Sequence, residues 1–127
     1  MTETLNKIDL TQLLVDGIRE RKGRGITIVD FSAIEGTAAR KFIICEGTMH
    51  VASVADAVRD YALEHGSIKP YNYDGYGASQ WIVLDYGDTM VHVFTPDARR
   101  LYNLEELWSD AVITELPDLD WIGLKHI

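Results

Sequence analysis

The chain has 127 residues, the usual size of one domain, and 46% of them are hydrophobic, which is enough for a folded core. No apolar stretch approaches the roughly 18 residues of a membrane helix, and the start "MTETLNKIDL" lacks the basic and apolar regions of a secretory signal. The single cysteine, Cys45, excludes an intramolecular disulfide, and its apolar surroundings in "FIICEG" predict a buried thiol. We therefore expect a soluble cytoplasmic protein.

The formal net charge of −8 argues against binding to bare nucleic acid, which attracts clustered lysine and arginine. The basic cluster "RERKGR" (Arg19 to Arg24) lies at the end of a predicted helix, where cations complement the helix dipole. An acidic domain of this kind is expected to meet a basic protein surface instead.

The first predicted element is a helix that begins after Asp9. Asp9 and Gln12 have the spacing of a capping box, and Ile8 and Leu13 have that of a hydrophobic staple. Apolar residues then recur at helical spacing and predict a buried stripe formed by Leu10, Leu13, Leu14 and Ile18.

Two strands are predicted next, Ile26 to Phe31 and Lys41 to Glu46, because both segments are rich in β-branched and aromatic residues. A second helix follows, with Thr48 as its expected N-cap and Gly66 at its end. A loop rich in Tyr, Gly and Pro leads to "WIVLDYGDTMVHVF" (Trp81 to Phe94), where two apolar runs and a Gly-Asp turn predict a β-hairpin.

Two short helices are predicted after the hairpin, one capped by Thr95 with Pro96 in its first turn, the other opened by Asn103 with Glu106. The segment 112–127 has no clear period and is expected to be a loosely held C-terminal tail, with Trp121 as its candidate docking residue, beside a domain spanning 1–111. The order of elements predicts an α/β fold with a mixed, mainly parallel sheet flanked by helices.

The sequence contains no complete catalytic constellation. Asp85 and Asp88 are the best candidates for a metal-binding carboxylate pair, but three positions and a turn separate them, whereas Asp-x-Asp on a strand would share one face. Asp88 after Gly87 is also ordinary turn chemistry. His92 lies on a predicted core strand, either hydrogen-bonded in the interior or part of an exposed face. The histidines lack metal-ligand spacing: His50, His65, His92 and His126.

Aromatic residues are concentrated in the second half of the chain. Trp108 has helical spacing from Leu104 and Leu107, which favours a packing role. Trp81 and Tyr86 instead flank a strand beside carboxylates, and aromatic residues next to charges are typical anchors of protein interfaces. The pattern favours binding over catalysis.

The segments "DGYGASQWIVLDYGDTMVHVF" and "RRLYNLEELWSDA" resemble the signature of the ribosomal silencing factor family, also called the Iojap family. The similarity continues upstream in "GITIVDFS", "FIICEG" and "HVASVADAV", and so covers about Leu10 to Ala111. The resemblance implies a fold similar to nucleotidyltransferases but without their active site, hence no enzyme activity and no cofactor. It also implies binding to the large ribosomal subunit through its protein L-fourteen, which blocks subunit association and lowers translation when nutrients are limiting.

The resemblance also assigns partner-binding residues in and around the hairpin. They are Trp81, Asp85, Gly87, Asp88, His92 and Tyr102, with Gly75 shaping the preceding loop, and the aromatic pattern adds Tyr86. The resemblance also covers three residues that are expected either to contact the partner or to pack in the core: Leu104, Leu107 and Trp108. Two departures, Arg40 where the family has an acid and a shorter link between Gly47 and Val51, are expected to lie away from the hairpin.

Further expectations concern activity and partners. One alternative is a metal-dependent nucleotidyltransferase-like enzyme that uses Asp85 and Asp88, and another is an assembly factor for the large subunit with the same binding site. A homodimer is possible by analogy with relatives, RNA contact is expected to be incidental at most, and no membrane partner is expected.

Overall fold

The computed structural model describes residues 9–37, 39–47, 50–77 and 80–119. Its elements in chain order are α1 Leu10–Glu20, β1 Arg24–Asp30, β2 Lys41–Glu46, α2 Val51–Gly66, β3 Asn72–Asp74, β4 Trp81–Asp85, β5 Thr89–Phe94, α3 Pro96–Tyr102, α4 Leu104–Leu107 and β6 Val112–Glu115. No helix within these ranges is long and apolar enough to cross a membrane. The predicted roles of Ile8, Thr48 and Trp121 fall outside the described residues.

Helix α1 begins where the sequence predicts. The Asp9 carboxylate accepts a hydrogen bond from the backbone N–H of Gln12 at 3.2 Å, which satisfies one of the unpaired donors at the helix start. The Gln12 side chain donates to Asp16 rather than back to Asp9, so the reciprocal half of the capping box is not formed. The apolar stripe is confirmed, since most of its residues are buried: Leu13, Leu14 and Ile18.

The six strands of the described chain form one sheet in the order β3-β4-β5-β2-β1-β6. Only β2 and β5 run parallel, while the other neighbours pair antiparallel. The sheet is mixed as predicted, but the prediction of a mainly parallel sheet is wrong. The crossover through α2 does place a later strand parallel to β2, but β3 and β4 come first and join the sheet as antiparallel neighbours.

The expectation of a loosely held tail is wrong for residues 112–115, which form β6 beside β1. All four β6 side chains are exposed. The segment therefore lacks the alternation of buried apolar and exposed polar residues that would have predicted a strand from the sequence. Beyond it, the Asp118 carboxylate accepts a hydrogen bond from the Gly25 N–H at 2.9 Å and pairs with Arg24 at 3.2 Å. A separate tail over residues 120–127 stays a prediction, because those residues lie outside the described ranges.

The sheet carries an apolar cluster on each face. Helices α1 and α2 pack on one face, over a cluster that includes Leu14, Ile18, Ile43, Cys45, Val58, Ile82, Leu84, Val91 and Val93. The other face carries a smaller cluster with α3 and α4, formed by Val29, Phe31, Ile44, Phe94, Ala98 and Leu104. Side chains alternate along a strand, so each central strand contributes to both clusters. The predicted burial of Cys45 is confirmed.

Helix α3 begins as predicted, with the Thr95 hydroxyl accepting a hydrogen bond from the Ala98 N–H at 3.2 Å and Pro96 in the first turn. The Asn103 side chain, by contrast, donates to the Glu106 side chain at 2.7 Å and caps no backbone group. The predicted box at the start of α4 is therefore a side-chain pair.

Candidate interaction surface

The β4–β5 hairpin has one face that α1 and α2 do not cover. Its other face points to those helices through Ile82, Leu84, Val91 and Val93. The intervening side chains point away from the helices, and strand pairing places them opposite one another as Trp81–Phe94, Val83–His92 and Asp85–Met90. We call these six side chains the open face.

Trp81 belongs to an aromatic cluster on the open face and stays partly exposed. Its ring stacks on Phe94 at a centroid distance of 4.9 Å and lies 4.7 Å from the half-exposed ring of Tyr102. The indole N–H donates a hydrogen bond to Nδ1 of His92 at 3.0 Å. Because this is the only polar group of the indole, the exposed part of Trp81 is apolar.

His92 is buried, with 5% of the residue exposed. Its Nδ1 accepts from Trp81, so the neutral ring carries its proton on Nε2, which has no hydrogen-bond partner within the described ranges. Burial lowers the pKa of His92 to about 4. The interior alternative read from the sequence is therefore the one observed. The expectation that His92 faces a partner is corrected, because a partner cannot reach a buried ring directly.

We expect the buried His92 to make the protein less stable in acid. An unfolded histidine titrates near pH 6.5, whereas the pKa of the folded one is about 4, so the unfolded chain binds the extra proton between these values. Stability is thus fully present above about pH 6.5 and is lost as the pH falls toward 4. Between pH 7 and pH 5 this group should remove about 2 kcal/mol from the free energy of unfolding.

Urea unfolding of the wild type and of His92→Asn at both pH values measures this contribution. The other titrating groups are common to the two proteins, so only the difference between their pH dependences reports on His92. An equal loss of unfolding free energy in both proteins would contradict the assignment.

Asp85 holds the hairpin turn. Its carboxylate accepts a hydrogen bond from the Gly87 N–H at 2.8 Å, and Gly87 has a φ of +90°, in the left-handed region that favours glycine. Asp88 follows it as an exposed turn residue. Both acids therefore lie at the turn, and within the described chain no group of three or more His, Cys, Asp or Glu side chains is placed to hold a metal ion.

Arg40 lies next to this turn, contrary to expectation. The backbone N–H groups of Arg40 and Lys41 both donate to the Asp88 carbonyl, at 2.8 and 3.1 Å. The reason is the parallel pairing of β2 with β5, which begins at Lys41 and Thr89. The departure from the family pattern thus places an exposed cationic residue beside the hairpin turn.

Tyr86 points to the opposite side of the sheet. It is 5% exposed and belongs to the cluster under α1 and α2, and its hydroxyl has no hydrogen-bond partner in the described part of the chain. Burial raises the pKa of Tyr86 to about 12. The expectation that Tyr86 faces a partner is corrected, because alternation along the chain turns it away from the face of Asp85.

An acidic depression of about 250 Å³ adjoins the aromatic part of the open face. It is lined by Asn72, Tyr73, Asp74, Val83, Asp85 and Met90. Each of its two carboxylates accepts one backbone hydrogen bond, Asp74 from Gly75 and Asp85 from Gly87. Neither forms an ion pair with another described residue. The depression therefore presents negative charge beside apolar side chains.

Helices α3 and α4 also carry exposed apolar side chains. Leu101 and Leu107 are 76% and 70% exposed, and Tyr102 of α3 lies against the Trp81 ring. Trp108 is different, because it packs edge-on against Phe31 at 4.7 Å. Its predicted packing role is confirmed, while Leu107 is left exposed.

Gly75 lets the chain between β3 and β4 pass close to β4. Its φ is +100°, and a Cβ atom at this position would lie 2.0 Å from the carbonyl oxygen of Trp81. Only glycine fits such an approach without moving the backbone. This geometry agrees with the role in shaping the loop that the resemblance gives to Gly75.

Among the residues of this surface that sequence reasoning missed are Asp74, Val83 and Met90. Val83 and Met90 could have been found, since a strict two-residue period puts them on the face of Trp81 and His92. Asp74 could not, because β3 has only three residues and all are exposed, so its pairing register leaves no sequence signal.

The fold and the open face together define a single-sheet α/β protein with a partly exposed aromatic and acidic surface. A crystal structure of a protein from Bacillus halodurans shares this fold, with a TM-score of 0.70 and 33% identity over 84% of this chain and 97% of that chain. The expected likeness to nucleotidyltransferases stays a prediction.

The family model described as "Ribosomal silencing factor during starvation" (RsfS) matches residues 4–125, and so extends past Ala111. The ribosomal silencing factor of Halalkalibacterium halodurans is 36% identical over 110 residues, which cover 85% of this chain and 92% of that protein. The chain belongs to the ribosomal silencing factor family. It is also 30% identical over 108 residues to the "Mitochondrial assembly of ribosomal large subunit protein 1" of Mus musculus, covering 81% of this chain and 46% of that protein.

Proposed function

We propose that this protein binds the large ribosomal subunit through its protein L-fourteen, with the solvent-accessible part of the open face as the contact surface, which leaves out the buried Phe94 and His92. Bound there, it sterically prevents the small subunit from joining, so that translation falls when nutrients are limiting. Membership of the silencing factor family supports the general role. The observation that carries the surface assignment is Trp81, a partly exposed indole whose polar N–H is already bonded inside the molecule.

The chemistry of the open face suits a basic protein partner. A large aromatic ring that is held in place contributes contact area with little loss of conformational entropy on binding. The neighbouring carboxylates of Asp74 and Asp85, together with a net charge of −8, favour encounter with a cationic surface. Ribosomal RNA repels the same charge, so the contact must be confined to protein.

A steric inhibitor of this kind needs a rigid platform and no reaction. At least partial exposure allows four of the assigned residues to contact a partner: Trp81, Asp85, Tyr102 and, at the turn, Asp88. Gly75 and Gly87 set the backbone around them through their positive φ angles. Tyr86 and His92 can influence a partner only through the residues that they support.

Subunit association provides the direct test. Purified small and large subunits are mixed with increasing amounts of the protein and separated by sedimentation. Full joining at saturating protein would refute the steric role. Binding of the isolated protein L-fourteen, measured by calorimetry, then tests the named partner separately from the inhibition.

Truncation of the indole should weaken binding. We expect Trp81→Ala to lower the affinity for the large subunit by about 2 kcal/mol or more, roughly 30-fold, because a central aromatic anchor is lost. The measurement is cosedimentation with large subunits, after circular dichroism has shown that the variant is folded. Leu63→Ala is the control, since Leu63 is an exposed apolar residue of α2, outside the open face. Equal binding by the folded Trp81 variant and the wild type would remove Trp81 from the contact.

A second candidate function, assembly of the large subunit, is favoured by the name of the mouse relative. It uses the same surface, but predicts abnormal large-subunit precursors in cells that lack the protein. Silencing alone predicts normal precursors and excess translation during starvation.

We propose no catalytic role for Asp85 and Asp88. Calorimetry with a nucleoside triphosphate and Mg²⁺ tests this point, and binding that disappears in Asp88→Ala would contradict it. A homodimer stays a prediction that the sedimentation of the isolated protein will check.

A further inference from the structure

His92 is a buried polar residue whose Nδ1 accepts a hydrogen bond from the Trp81 indole. Its ring lies on β5, with the Phe42 ring of β2 packed edge-on at 4.3 Å. The Trp81 indole of β4 lies across the same strand, stacked on Phe94 and bonded to His92. The imidazole thus links the interior strand β2 to the partly exposed ring on β4.

The bond between Trp81 and His92 is directional. An indole N–H can only donate, so Nδ1 must be the acceptor and the imidazole must be neutral. Stacking on Phe94 restrains the plane of the indole, while the hydrogen bond at 3.0 Å also selects which edge turns inward. Together they leave the Trp81 ring one orientation.

His92 also lowers the stability of the folded state in a way that an apolar residue at this position would not. Its Nε2–H is buried with no acceptor among the described residues, and an unpaired buried donor is unfavourable. A leucine would fill similar space without this defect. What the imidazole adds is the Nδ1 acceptor.

We propose that His92 is a positioning residue, which fixes the orientation of the Trp81 indole before the partner arrives. This inference rests on the proposed function, since it assumes that Trp81 contacts the ribosome. A ring already held in its bound orientation loses less entropy on association, so the hydrogen bond raises affinity although His92 touches no partner.

Nuclear magnetic resonance tests the bond in the isolated wild-type protein. The indole N–H signal of Trp81, identified among the three tryptophans by its absence in Trp81→Phe, should exchange slowly with solvent. The ¹⁵N shifts of His92 should show a neutral ring with its proton on Nε2. Fast exchange of the indole proton, or a proton on Nδ1, would overturn the proposal without any variant of His92.

Two substitutions then connect the bond to binding. His92→Leu keeps bulk but removes the acceptor, and should weaken binding to large subunits about tenfold, as measured by cosedimentation. His92→Asn carries an oxygen near the position of Nδ1, and should retain slow indole exchange and recover most of the affinity. If His92→Leu does not fold, the proposal is still tested by the wild-type spectra and by the indole exchange and affinity of His92→Asn.

The outcomes distinguish a failure of the positioning role of His92 from a failure of the proposed function. If Trp81→Ala weakens binding but folded His92→Leu binds as the wild type does, positioning is refuted and the interaction surface stands. If Trp81→Ala itself binds normally, the surface assignment fails and positioning fails with it. Parallel loss in Trp81→Ala and His92→Leu, with rescue by His92→Asn, supports both.

Discussion

Replacing Arg99 by methionine should lower the free energy of unfolding by about 3 kcal/mol, because it removes the cation from a largely buried network. The guanidinium donates to the Gly25 carbonyl, to the Thr27 hydroxyl at 2.9 Å and to the Glu46 carboxylate at 3.1 Å, and it also pairs with Glu105. The Arg99 side chain is only 12% exposed, so solvent screens these contacts weakly. Without it, the carboxylates of Glu46 and Glu105 lose their cation and the Gly25 carbonyl loses its donor.

Arg100→Met is the matched control for this experiment. Arg100 is the next residue of α3, but its side chain is 72% exposed and, among the described residues, pairs only with Asp97. Exposed pairs contribute little, so we expect a change below about 0.5 kcal/mol. Urea unfolding of the three proteins measures both values. Similar losses in the two variants would show that the Arg99 network does not hold α3 to the sheet.

Arg99 also matters for the open face. It fixes α3 to β1 and β2, and α3 carries Tyr102, which lies against the Trp81 ring. The aromatic cluster is thus supported from two directions, through α3 on one side and through His92 on the other. These supports restrain the aromatic cluster before any partner binds, which agrees with the proposed role as a steric inhibitor.

The hairpin could be predicted well because its sequence signals agree with one another. Apolar runs, a glycine turn and a following Thr-Pro cap all mark its ends, and β4 and β5 span Trp81 to Phe94 as expected. Strand β2 was likewise predicted with its observed bounds. These elements depend on local chemistry that the sequence displays directly.

The topology of the sheet could not be predicted in the same way. Edge strands β3 and β6 are short and wholly exposed, so they lack the apolar period that reveals a strand. Whether neighbours run parallel depends on which distant strands pair, and β2 and β5 are separated in the chain by α2, β3 and β4. Pairing over such a distance is decided by tertiary packing.

Two residues of the candidate surface were expected to face a partner but are buried, Tyr86 and His92. Tyr86 lies two residues after Leu84, so the strand period already places it with the buried face. His92 lies between Val91 and Val93 and therefore opposite that face, but its burial depends on Phe42 and Trp81 arriving from two other strands. The first error was avoidable from the sequence and the second was not.

Gly75→Ala should destabilise the protein by about 3 kcal/mol or more. Its φ of +100° is strained for any residue with a Cβ, and that Cβ would lie 2.0 Å from the Trp81 carbonyl oxygen. A Cβ atom cannot lie so close to a carbonyl oxygen, so we expect β3 to move away from β4 and the pairing of Asp74 with Val83 to be lost. The acidic depression then opens, and affinity for the large subunit should fall together with stability.

Gly77→Ala separates this steric effect from a general intolerance of the loop. A Cβ at Gly77 meets no described residue within 4 Å, so alanine there should change the free energy of unfolding by less than about 1 kcal/mol. Urea unfolding of both variants, with cosedimentation at a temperature where each is folded, gives the two readouts. A Gly75→Ala protein as stable as Gly77→Ala would mean that β3 tolerates displacement. The contact surface would then depend on β4 and β5 alone, with Trp81 anchored through His92 and Phe94 rather than through the strand beside it.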